Sequence, residues 1–123
     1  MSRPDRLIAE FFEEAEGARE IFDAIHAAVL NFGAAELRID KGQVSFRRRI
    51  AFAWVWVPGR YLKGNRRPLV LTLGLRRRDP SPRWKQVVEP YPGRFVHHME
   101  MTTPADVDGE VRALLAEAWS LAG

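Results

Sequence analysis

Apolar positions in the first third of the chain recur at helical spacing. Leu7, Ile8, Phe11 and Phe12 fall at steps of one and three, and after Gly17 the residues Ala18, Ile21, Phe22, Ile25, Ala28, Val29 and Phe32 repeat at three and four. This spacing predicts two amphipathic helices. The second should end near Asn31 or Phe32, because Gly33 stands where a left-handed C-terminal cap belongs. A last helix is predicted from Thr103, Pro104 and Asp106, which supply an N-cap, a proline at the first helical position and a carboxylate at the third. Its buried stripe reads Val107, Val111, Leu114, Leu115, Ala118 and Trp119.

Between these segments the period changes to two. Strands are predicted at 36–40, 44–48, 50–57, 69–75 and 95–101, separated by turn signals at Lys41-Gly42, Pro58-Gly59, Lys63-Gly64-Asn65 and Pro92-Gly93. No helical pattern separates consecutive strands. The expected fold is therefore α+β, an antiparallel sheet of about five strands with two N-terminal helices and one C-terminal helix packed on it. Residues 76–94 read as a long connection holding four prolines, Trp84 and the pair Val87 and Val88. Connections of that length are often functional.

Length and composition narrow the class. A chain of 123 residues, 46% hydrophobic, suits one domain over residues 1–123 and excludes wholesale disorder. The absence of cysteine excludes a disulfide framework, a thiolate nucleophile and a tetrathiolate zinc site. The longest apolar run, 50–57, is too short to span a bilayer and the N-terminus is charged, so neither a membrane span nor a signal peptide is expected and the reading is cytoplasmic. Net charge is unevenly placed. Residues 1–40 hold 4 basic and 9 acidic groups, residues 41–98 hold 14 and 2, and residues 99–123 hold 1 and 5. Of the 19 cations 16 are arginine, whose planar fork suits phosphate and carboxylate.

Strand alternation places Ser45, Arg47 and Arg49 on one side of the second strand, away from Val44 and Phe46. In the third strand both alternating sets are apolar. The small set, Ala51, Ala53, Val55 and Val57, suits packing against helices and leaves Phe52, Trp54 and Trp56 for the opposite face, with Thr72 from the fourth strand. The candidate ligand-binding residues are Ser45, Arg47, Arg49, Trp54, Trp56 and Thr72, with Trp84 from the connection as a roof and His97 from the last strand. Indoles stack on rings and arginines pair with anions, which points to a phosphate-bearing small molecule or a nucleic acid. The competing reading makes Trp54, Trp56 and Trp84 a second minicore, or the interface of a homodimer or protein partner.

Catalysis receives no such support. The chain has no nucleophile elbow, phosphate loop or dinucleotide fingerprint. His97 and His98 point to opposite faces of their strand and do not chelate one metal, and Asp23 with His26 supplies two ligands only, so neither a metal nor a cofactor is expected. The stretch from Arg48 to Trp56 superficially resembles the basic, aromatic submotif of RNA-recognition domains but lacks its glycine and its order of elements.

Taken in order, Phe11-Phe12, Ile21-Phe22, Val44-Ser45-Phe46-Arg47, Phe52-Ala53-Trp54-Val55-Trp56, Leu71-Thr72-Leu73, His97-His98-Met99 and the closing stretch from Asp106-Val107-Asp108 to Ala118-Trp119 resemble the bacterial domain-of-unknown-function family 5655. The likeness covers nearly the whole chain. It implies the fold and carries no activity, cofactor or catalytic residue. The order of elements is also loosely similar to small proteins labelled iron chaperones, a likeness without a specific motif, and the scarcity of metal ligands in this chain counts against iron binding. The expected function is a non-enzymatic binding module for an anionic ligand.

Overall fold

The computed structural model describes residues 2–15, 17–60 and 67–123; the predicted turn Lys63-Gly64-Asn65 lies outside them. Helix α1 (Arg3–Phe11) is capped by Ser2, whose hydroxyl accepts the Asp5 N–H at 3.2 Å, with Pro4 in its first turn. Helix α2 (Ala18–Phe32) ends at Gly33 as expected, although Gly33, at φ +147° and ψ −159°, is extended rather than in the left-handed helical cap conformation. At Gly33 φ is +147°, and an added Cβ would come to 2.8 Å from the Trp119 ring, so both conformation and space select glycine.

The strands are β1 (Glu36–Ile39), β2 (Val44–Arg47), β3 (Ala51–Trp56), β4 (Leu69–Leu75), β5 (Gln86–Tyr91) and β6 (Arg94–Met101). They form one antiparallel sheet in the order β1-β2-β3-β4-β6-β5. The sheet thus has six strands rather than about five. The extra strand, β5, lies inside the segment read as a loop, and its hairpin to β6 turns at Pro92 and Gly93, where φ is +82°. As an edge strand it tolerates Pro90, which falls within a register shift between Val88 and Tyr91.

The C-terminal helix also starts later than its first capping signal. Thr103 and Asp106 form a complete capping box, but on a three-residue 3-10 turn, Pro104–Asp106. Helix α3 (Gly109–Leu121) begins after a second cap, Asp108, which accepts the Val111 N–H at 3.1 Å. Val107 is buried between the two caps.

All three helices bury their apolar stripes against one face of the sheet. Ile8, Phe11, Ile21, Phe22, Ile25, Val111 and Leu115 join Val44, Phe46, Ala53, Val55, Leu71, Leu73 and Met99 in one core. One departure from strict alternation shapes this layer. Phe46 pairs with Ala53 and Arg47 with Ala51, so Phe52 is the extra residue of a β-bulge. The bulge turns Phe52 inward, 1% exposed and 6.4 Å from the Phe46 ring centroid. Phe52 therefore belongs to the core and not to the tryptophan face expected from alternation.

Candidate functional site

Antiparallel register carries one row of residues across the whole sheet on the face away from the helices. Arg38, Ser45, Trp54, Thr72, His98 and Gln86 are successive Cα partners from β1 to β5. A parallel row holds Trp56, Val70 and Glu100. It continues into the β1–β2 turn, where the Asp40 N–H donates to the Gln43 carbonyl at 2.9 Å. On the other side of the central row lie Gly74, Val96 and Val88. There the Arg94 guanidinium crosses directly above Gly74 and donates to the Ala51 carbonyl at 3.2 Å, a position that a side chain at residue 74 would displace.

Among the described residues no α-helix covers this face, and its relief forms two adjoining depressions that share Trp56 and His98. The larger, about 680 Å³, is lined also by Asp40, Gly42, Gln43, Trp54, Thr72 and Val96. The smaller, about 520 Å³, adds Pro58, Val70, Lys85, Gln86 and Glu100, and here Lys85 and Glu100 form an ion pair. Ser45 and Thr72 are 2% and 6% exposed beside the half-buried indoles of Trp54 and Trp56. Thr72 Oγ1 lies 2.9 Å from His98 Nδ1. Burial pushes the His98 pKa down, so this imidazole is neutral at pH 7. Apolar walls with a few convergent polar groups are the usual make-up of a small-molecule site.

Ser45, Trp54, Trp56 and Thr72 come together on this face as expected, with Arg47 on its flank between Glu36 and Ala51. Arg49 does not join them. Strand β2 ends at Arg47, and the Arg49 and Ile50 amides donate to the Ala122 carbonyl, which draws the chain toward the end of α3. Arg48 stacks over Trp119 at 3.7 Å and donates to its carbonyl at 2.9 Å.

Trp84 and His97 lie on the opposite side of the sheet. His97 is fully buried in the inward row with Phe46, Ala53 and Leu73, its ring centroid 4.9 Å from that of Trp84. Its Nε2 accepts the Asp79 N–H at 3.0 Å, which leaves Nδ1–H to donate to the Phe95 carbonyl at 3.1 Å. Trp84 Nε1 in turn donates to the Asp79 carboxylate at 2.7 Å. Burial alone would raise the Asp79 pKa, but bonds from Trp84, the Ser81 amide and Arg77 hold it below the usual carboxylate range. The connection before β5 is thus pinned to the core and does not roof the tryptophans. Two of its arginines are also engaged, Arg77 with Glu117 and Asp79, Arg83 with Asp108 and Glu110.

His98, rather than His97, joins this face, and Asp40, Gln43, Gln86 and Arg38 lie on it without being among the candidate ligand-binding residues. The signal for His98 was present: its strand partners in alternation are Val96 and Glu100, whereas His97 alternates with Phe95, Met99 and Met101. The more apolar set marks the buried side.

Burial lowers the pKa of His26, His97 and His98 below the ordinary 6.5. As pH falls below about 6.5 the unfolded chain takes up these protons first, so stability should drop from there through the lowered folded-state values and be flat in this respect above. Urea midpoints at pH 7.5 and 5.5 check this, the lower expected at 5.5; an equal or higher midpoint at 5.5 contradicts it.

Among the described residues no three His, Asp or Glu side chains gather closely enough to hold a metal ion, and no helix is long and apolar enough to cross a membrane. Asp23, at helical spacing from His26, is paired with Arg19 at 2.9 Å. No curated protein and no solved structure matches the chain. Residues 8–122 match the family described as Domain of unknown function (DUF5655), and with nearly its whole length matched the chain belongs to that family.

Proposed function

We propose that the protein is a non-enzymatic binding module whose open sheet face takes a small, ring-bearing molecule with an anionic group, of the nucleotide kind. The observation that carries this reading is the register row from Arg38 through Ser45, Trp54, Thr72 and His98 to Gln86, on the face the described helices leave open. The indoles offer stacking surface. The neutral imidazole and its neighbours offer hydrogen bonds, and Arg38 and Arg47 give the flank where an anion is stabilised. A catalytic role for the Thr72–His98 pair has less support. The hydroxyl is nearly buried, and no described group orients the imidazole as a base would need.

Quenching of tryptophan fluorescence by nucleoside monophosphates tests the proposal. Trp54→Ala should weaken binding by roughly tenfold or more, since stacking on an aromatic side chain contributes about 1–3 kcal/mol per base. Arg38→Gln with Arg47→Gln should weaken it about fivefold, an effect that disappears at high salt. Unchanged affinity in the folded Trp54→Ala protein contradicts the reading. So does sedimentation as a dimer that dissociates only in Trp54 or Trp56 variants, which would make this face an interface.

A further inference from the structure

We propose that the larger depression takes a flat heterocycle bearing two adjacent N–H donors, of the guanine kind, inserted between Trp54 and Trp56 and read along its edge by the Asp40 carboxylate. This rests on the binding reading above and adds which ring is bound.

Strand geometry sets the spacing of the two indoles. Residues two apart on one face of a strand stand about 6.6–6.8 Å apart. That is twice the 3.4 Å spacing of stacked bases, the room one ring needs to have an indole on each side. Trp54 and Trp56 are so spaced on β3 and line one depression together. Its other walls supply an edge rather than a second plane. Asp40 and Gln43 close one end from the β1–β2 turn, while Thr72 and His98 come from the neighbouring strands β4 and β6.

Charge then selects the ring. Among the residues lining this depression Asp40 is the one acidic side chain, and none of them is a lysine or arginine. An ionised carboxylate accepts and never donates, and its two oxygens take two parallel N–H groups. The adjacent N1–H and amino group of guanine match that pair. The corresponding edge of adenine sets a lone pair beside its amino group, leaving one carboxylate oxygen against an acceptor. Arg38 shares the face two strands from Trp54, about 10 Å at the usual strand spacing, within reach of the phosphate of a bound mononucleotide.

Fluorescence titration of the intact chain with guanosine, inosine and adenosine monophosphates decides the matter. Guanosine monophosphate should bind about tenfold or more tighter than adenosine monophosphate, the scale of a charge-assisted hydrogen bond lost. Inosine monophosphate, which keeps N1–H but lacks the amino group, should fall between them, a comparison that needs no variant. Asp40→Asn should abolish the guanosine advantage and tighten adenosine monophosphate, because the amide accepts from the adenine amino group and donates to the ring nitrogen beside it. Equal affinity for all three nucleotides, or an advantage that survives Asp40→Asn, overturns the ring assignment and leaves the binding face standing. Absence of binding by any of the three overturns the binding reading and this one with it.

Discussion

Phe52→Ala should destabilise the domain by about 3–5 kcal/mol, the range for removing a fully buried phenyl ring. Trp54→Ala, two residues along the same strand, should cost far less. Simple alternation would put both rings on one face and predict similar effects. The bulge opposite Arg47 separates them, sending Phe52 into the layer of Phe22 and Phe46 and leaving Trp54 half-buried on the open side. Urea denaturation of the two variants measures the difference. Equal losses would place both side chains in one packed environment and contradict the bulge.

Trp84→Ala should be comparably severe, about 3–5 kcal/mol. Its indole is 8% exposed, packs on His97 and holds Asp79 through Nε1. Truncation leaves a cavity beside His97 and removes one of the bonds that keep Asp79 ionised, so the segment leading into β5 loses its anchor. Hydrogen exchange should then accelerate in β5 more than in β3. A Trp84→Ala protein of native stability but impaired ligand binding would instead return Trp84 to the roof of the tryptophan face.

The helices were legible because their apolar stripes are long enough for the 3.6 period to emerge, and Gly33 marked a true end. Strand β5 was hidden because an edge strand whose side chains are almost all exposed shows no apolar alternation, and Pro90 argues against a strand wherever its position at the edge is unknown. The capping signals at Thr103 to Asp106 were read correctly as a cap but closed a 3-10 turn, since a second acceptor, Asp108, stood ready five residues later.

At the site, the grouping of Ser45, Trp54, Trp56 and Thr72 followed from alternation within strands. The side of the sheet that His98 takes is legible too, since His97 alternates with the apolar Phe95, Met99 and Met101, whereas its meeting with Thr72 depends on register between β4 and β6. Arg49 was misplaced because the strand stops at Arg47, a boundary set by the Ala122 carbonyl far along the chain. The turn residues Asp40 and Gln43 join the face only because β1 and β2 pair in the register that sets Arg38 against Ser45. A contact as distant in sequence as that of Arg49 with Ala122 leaves no local trace.

The chain has four tryptophans, and each indole N–H gives its own signal in a nitrogen–proton correlation spectrum. Titrating guanosine monophosphate into the labelled protein tests the central claim most directly. The Trp54 and Trp56 signals should move with saturation while Trp84, bonded to Asp79, and Trp119, bonded to the Ala34 carbonyl, stay in place. Movement of Trp84 or Trp119 with Trp54 and Trp56 unchanged, or no movement of any of the four, would contradict a ligand site on the open face.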